Sequence, residues 1–211
     1  MSYSIRLLFD DPAPVPIGHS KWWGAPDLPQ GSPYPVVPCT EEGDSWDEPL
    51  TFLCQICCSD IAALDPQGLL PHKGMLYFFA AIDYFLGLDS PIHTPLGDWD
   101  NRLVRVMYSP TCDNLEPYEM LYDDGSDVFF PPQAITFEPC DAQAEGFKLL
   151  GKPYLEEVCE QYPEAVSLLQ VDEEDSWNLR FYDCGMLHLL ISPQDLAARR
   201  WPYAFGHLFS F

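Results

Sequence analysis

Three short blocks occur twice in this chain, in the same order, and that recurrence narrows what it can fold into more than any other feature. Residues 20–28 read SKWWGAPDL and residues 147–155 read FKLLGKPYL, so Lys21/Lys148, Gly24/Gly151, Pro26/Pro153 and Leu28/Leu155 share one spacing of 127. FLCQI at 52–56 meets SLLQV at 167–171, aligning Gln55 with Gln170 at a spacing of 115. KGMLYFF at 73–79 then meets CGMLHLL at 184–190 at a spacing of 111. The first contraction falls where the first copy carries PQGSPYPVVPCTEEGDSWDEP, a Pro- and acid-rich stretch of loop composition. Loops take up insertions and strands do not, so a duplicated unit drifts in this way. The pattern predicts one domain over 1–211 made of two pseudo-repeats, about 18–110 and 145–211.

Each copy reads as a Lys-x-x-Gly-x-Pro loop, a short buried strand ending near the glutamine, a polar connection and a strand opened by Gly74 or Gly185. A closing strand follows, RLVRVMY at 102–108 and AFGHLFSF at 204–211, the latter too aromatic for a frayed tail. Two short helices are predicted. SPQDLAARRW at 192–201 offers Ser192 as N-cap, Pro193 at the first helical position and Asp195 as the capping-box partner. PYLEEVCEQYP at 153–163 sets Leu155, Val158, Cys159 and Tyr162 on one face before Pro163 ends it. Proline has no N–H to give a ladder, so its clusters at 12–16, 26–38 and 131–132 are expected in loops or edges. The expected class is α+β, internally duplicated, with antiparallel sheets, a few short helices and long Pro-rich loops. No Gly/Ser linker separates the copies, so they are expected to share a core. Gly24, Gly151, Gly74 and Gly185 are structural in this reading. So are Gln55 and Gln170, whose amides are expected to bond backbone of the opposite copy and hold the two in register.

Charge limits the partners. Acids number 33 and bases 10, for a formal net charge of −23, and no Lys or Arg lies between Lys21 and Lys73, between Arg105 and Lys148, or between Lys152 and Arg180. Such a surface repels phosphate backbones and anionic lipid, so neither nucleic acid nor membrane is expected as a partner, whereas a basic protein is. High charge also serves solubility alone. No apolar run approaches the roughly 18 residues of a membrane span, and the expected location is cytoplasmic. The eight cysteines are then free thiols. Cys54 and Cys57 form a CxxC, but on an apolar extended run whose odd spacing sends the thiols to opposite faces, which favours packing over metal.

No chemistry-bearing motif stands out. The five histidines, His19, His72, His93, His188 and His207, show no metal spacing, and there is no GxSxG, GxGxxG or phosphate loop. No catalytic residue, cofactor or metal is assigned. His188 aligns with Tyr77 on a strand and reads as half-buried packing, and Trp22 and Trp23 align with Leu149 and Leu150 and read as core. Lys21 and Lys148 are expected to bond loop carbonyls or act as internal counter-ions. Three acidic clusters remain as partner-binding candidates. They are Glu41, Glu42, Asp44, Trp46, Asp47 and Glu48; Asp123, Asp124 and Asp127; and Asp172, Glu173, Glu174, Asp175 and Trp177. None has the ligand alternation of a calcium loop. Their carboxylates suit Lys or Arg of a partner, with Trp46 and Trp177 packing as exposed anchors.

SKWWGAPDLPQG, PLTFLCQI, LLPHKGMLYFF and LLQVDEEDSWNLRFYDCGMLHLLISPQDLAARRW together resemble the YwqG-like family of uncharacterised bacterial proteins. The resemblance implies a duplicated α+β fold with no established catalytic residues and, for some members, a genomic setting beside contact-dependent toxins and their immunity proteins. The chain departs from the family pattern at Trp23, Cys54, Asn178 and Leu179. The expectation is a non-catalytic acidic protein that binds a basic toxin or effector domain. The rival classes are an enzyme or small-ligand protein with a site between the copies, and a regulatory scaffold.

Overall fold

The computed structural model describes residues 3–211, and its chain is built mainly from antiparallel strands. Eleven of these form one sheet with β1 (Ser4–Phe9) and β11 (Gln133–Cys140) side by side at its centre. Beyond β11 come β2 (Lys21–Trp22), β6 (Thr51–Cys57), β7 (Met75–Ala80) and β9 (Val104–Ser109). Beyond β1 come β12 (Lys148–Leu149), β13 (Val166–Val171), β14 (Met186–Ile191), β15 (Phe205–Phe209) and β8 (Gly97–Trp99). Two separate ribbons pair β3 (Asp27–Pro29) with β10 (Leu115–Pro117), and β4 (Val36–Glu41) with β5 (Asp44–Pro49).

The sheet nearly closes on itself as a barrel. Its outermost strands, β8 and β9, are joined by residues 100–103 alone. Gly206 of β15 lies so close to both that an added Cβ would sit 3.0 Å from Trp99 and 3.0 Å from Val104.

The expected α+β class is therefore wrong, and the fold is mostly β. The α-helices α1 (Cys58–Ile61), α2 (Glu156–Gln161) and α3 (Pro193–Ala197) reach six residues at most. Local chemistry starts α3 and ends α2. Ser192 accepts from Asp195 N at 3.0 Å as its cap should, but Arg199 adopts φ +56°, which no helix interior permits. Pro153 and Pro163 leave α2 no room to extend. The Pro-rich segment expected as loop is likewise the β4–β5 ribbon, turned by Glu42 (φ +50°) and Gly43 (φ +100°). Both residues lie at positive φ, as the tight turn between twisted strands requires.

Strands β7, β13 and β14 are buried at every position because both faces of the sheet are covered. One face packs inward. There Leu76 and Phe78 meet Leu149, Leu168, Leu187 and Leu189 in a core that both ends of the chain share. The opposite face of β7, with Met75, Tyr77 and Phe79, packs under Leu28, Tyr34 and Val37 of the ribbons and the segment between them. That of β14, with Met186 and Leu190, packs under Leu155 and Val158 of the α2 region. Each fully buried side chain of this size contributes roughly 1.5–3 kcal/mol.

The recurring blocks sit at matching places. Lys21 pairs with Gln55 and Gln55 with Tyr77, while Lys148 pairs with Gln170 and Gln170 with His188. The ladder slips by one residue between Phe52 and Cys54, and again between Ser167 and Leu169. Trp23 and Gly24 both take positive φ, as do Leu150 and Gly151.

The glutamines do not bridge the copies as expected. Gln55 Nε2 donates to His19 O (2.9 Å) and Asp27 Oδ2 (2.6 Å), and its Oε1 accepts from Asp27 N (2.8 Å). Gln170 Nε2 donates to Gly146 O (2.7 Å) and Ala144 O (3.2 Å), and its Oε1 accepts from Tyr154 N (3.0 Å). Each amide bonds groups within its own copy, on either side of the two-residue strand β2 or β12.

Gly74 opens β7 with φ +81°, and a Cβ there would stand 2.1 Å from Ser109 O. Gly74→Ala is expected to lower the urea midpoint by a stability loss of about 1–3 kcal/mol, since neither backbone can yield cheaply.

Candidate functional site

The left-handed pair Trp23-Gly24 swings the chain out of β2, and Gly24 N then donates to Phe130 O at 2.9 Å. A Cβ on Gly24 would meet Pro132 Cβ at 2.7 Å, so the 128–132 segment can close this near only over glycine. Beneath that contact lies a cavity of about 300 Å³. Its lining comes from Trp23, from Tyr34 and the end of β5 with the start of β6, from the turn at Asp83 with Leu88 and Asp89, and from Met120, Tyr122 and Val128–Phe130.

The lining is aromatic and acidic. Trp23 packs on Phe130 at 5.1 Å between ring centroids, and Tyr34 on Phe79 at 5.3 Å and on Phe129 at 6.1 Å. Tyr34 is fixed by its hydroxyl, which donates to Leu50 O at 2.9 Å, and burial pushes its pKa far up. The charged groups are Glu48, Asp83 and Asp89, and no Lys, Arg or His joins them. Thr51 Oγ1 donates to Asp83 Oδ1, while Oδ2 accepts no hydrogen bond among the described residues. Burial raises the Asp83 carboxyl above the usual range, and the Glu48 carboxylate adds to the rise.

Two of the three acidic clusters lie on segments that reach this cavity at their ends. Glu41, Glu42, Asp44, Trp46 and Asp47 are exposed on the β4–β5 ribbon, and Glu48 turns to the cavity while accepting from Trp46 Nε1 at 3.0 Å. Asp123, Asp124 and Asp127 are exposed on the turn between the wall residues Tyr122 and Val128. Hydrogen bonds from Ser126 hold the Asp124 carboxyl below its usual range.

The third cluster does not behave as expected. Trp177 is no surface anchor: its ring stacks on Trp22 at 5.6 Å and packs against Trp23, Phe9 and Phe147, because the 3-10 turn Asp175–Trp177 folds it back over the core. Glu173 is occupied too, accepting from Phe181 N (2.7 Å) and Gly185 N (3.1 Å). Asp172 is half-buried, and its carboxyl is raised by that burial. Glu174 accepts from Ser176 N at 3.0 Å, and Asp175 pairs with Arg180 at 2.8 Å. Among the described residues, no group of three or more His, Cys, Asp or Glu is arranged to hold a metal ion.

The two lysines divide the roles expected of them. Lys21 Nζ donates to Asp27 Oδ1 at 2.8 Å as an internal counter-ion, though its carboxylate partner was not read from the sequence. Lys148, at the matching position, lacks a carboxylate and donates to Ala142 O (2.9 Å) and Lys152 O (2.5 Å), and burial pulls its pKa down to about 8. His188 is not half-buried but wholly so, and neither ring nitrogen has a hydrogen-bond partner. The thiols of Cys54 and Cys57 part as expected, the first fully buried and the second partly exposed.

No helix is long and apolar enough to cross a membrane among the described residues. No curated protein matches this chain. A family model described as a domain of unknown function, DUF1963, matches residues 20–149, a stretch that holds every residue lining the cavity. By that match over more than half its length, the chain belongs to the DUF1963 family.

Proposed function

We propose that this chain is a non-catalytic acidic protein that binds a basic protein partner. Within that reading we assign it to the YwqG-like group and to an immunity-type role, in which it occupies a basic toxin or effector domain in the cytoplasm. The observation that carries the proposal is that the β4–β5 ribbon and the 122–127 turn carry exposed carboxylates and also supply Glu48, Pro49, Tyr122 and Val128 at their ends to one aromatic-lined, acidic cavity. Carboxylates so placed attract a basic surface at a distance, and the cavity offers the docked surface a place to bury a side chain. The rival reading of an enzyme between the copies gains nothing from this cavity, which is lined by residues 23–130 and by neither histidine nor cysteine, and the recess between Gln67–Leu69 and residues 151–199 carries neither as well.

The test compares the wild type with a triple variant, Glu41→Lys, Asp44→Lys and Asp47→Lys, whose three positions are all exposed. Each is immobilised and offered the basic proteins of the cell that carries it, and the retained protein is then purified for kinetics. The wild type is expected to retain a basic protein whose association slows at least about tenfold between low and physiological salt. The variant is expected to lose most of that rate. A flat salt dependence, or equal capture by the variant, would overturn the proposal.

A further inference from the structure

We infer that the cavity beside Trp23 seats the guanidinium of an arginine side chain, presented by the basic partner to which this inference is tied. The argument starts from charge. Glu48, Asp83 and Asp89 line a cavity of about 300 Å³ with no cation among the lining residues, so charge favours a cationic occupant over an anionic one. Asp83 Oδ1 is already bonded by Thr51, whereas Oδ2 accepts no hydrogen bond among the described residues and retains its capacity to accept one.

The aromatic lining then selects among cations. A cation entering between Trp23, Tyr34, Phe129 and Phe130 must give up much of its water, which a delocalised guanidinium does more readily than a compact ammonium. Rings within reach offset that loss through cation–π attraction. The apolar side of the lining, including Leu50 and Phe52, suits the aliphatic stem that carries the group. A contrast lies within the same molecule. A recess beside Gly151 and the start of β13, closed on its other side by Gln67–Leu69, is lined by Lys152 and Arg199 with only Glu164 opposing them, and it carries no aromatic ring.

The experiment uses the whole chain and the capped peptide acetyl-Gly-Arg-Gly-amide, followed by tryptophan fluorescence and by ligand-detected NMR. Its comparators are the citrulline peptide, which keeps the shape and loses the charge, and the lysine peptide. Saturable binding of the arginine peptide below about 10 mM is expected, with affinity at least about tenfold weaker for citrulline and for the Asp83→Asn variant. The citrulline arm needs no variant, so it decides the matter even should Asp83→Asn fail to fold. Equal binding of citrulline, tighter binding of lysine, or no saturation in that range would overturn the inference. Should the arginine peptide fail while the charge-reversed ribbon still loses its partner, the cavity assignment falls and the partner-binding reading stands. Should the peptide bind while charge reversal changes no capture, the reading falls and the guanidinium site remains without a protein partner.

Discussion

Replacing Asp27 with alanine is expected to destabilise the fold by about 3–5 kcal/mol, read as a fall in the urea midpoint at neutral pH. Asp27 is fully buried and accepts from Lys21 Nζ at 2.8 Å, Gln55 Nε2 at 2.6 Å and Gly18 N at 2.8 Å. Alanine removes the counter-charge of an ammonium that is only 5% exposed and strips two further donors of their acceptor. The matching position in the other copy supplies the control. Tyr154 stands there, exposed, contributing its backbone N–H to Gln170 and no charge to Lys148. Tyr154→Ala is accordingly expected to cost less than about 1 kcal/mol. A similar small loss for Asp27→Ala would show that the buried pair does not hold the first loop in place.

His188 sets the second large effect. Burial, with some repulsion from Lys148 and His207, lowers its pKa from 6.5 to about 3 in the folded chain. As pH falls below about 6.5 the unfolded chain takes up a proton there and the folded chain does not, so the unfolded state binds more protons and stability falls with pH. The contribution is fully present above 6.5 and is lost progressively toward 3. Down to about pH 4 the loss amounts to roughly 3 kcal/mol. The measurement is the unfolding free energy of wild type and of His188→Leu across that range. Carboxylate titration is common to both and cancels in the difference, which should grow by that amount as pH falls. A difference that stays level would mean the imidazole is protonated or hydrated inside the fold.

How much of this was legible depended on whether local sequence carried the constraint. Met75–Ala80 and Met186–Ile191 were readable as strands because both faces are covered, which demands unbroken apolar runs. Ser192 was readable as a cap because the cap is a bond to a residue three along. Helix length was not, since Arg199 reverses the backbone for reasons outside its neighbours, its guanidinium donating to Leu69 O and Gly68 O far away in sequence. The central pair β1 and β11 was missed because their pairing joins residues such as Leu7 and Phe137, and β11 contains Pro139, which argues against a strand when read alone. The cavity was half visible. The lack of any Lys or Arg from 22 to 72 and from 106 to 147 marked its surroundings as acidic. Nothing local, however, links Tyr34, Asp83 and Phe129, which meet only through packing. Trp177 misled because its acidic neighbours suggested solvent while its ring completes an aromatic core.

The near closure of the large sheet also bears on how this chain can associate with itself. The large sheet keeps two edges, β8 and β9, but β8 is only three residues long and the 100–103 connection holds the two close together, so little hydrogen-bonding rim is offered to a second copy. Open rims remain on the two small ribbons, and on β4–β5 the carboxylates of Glu41, Glu42, Asp44 and Asp47 would face their own kind in any homotypic stack. Mutual repulsion there opposes such stacking.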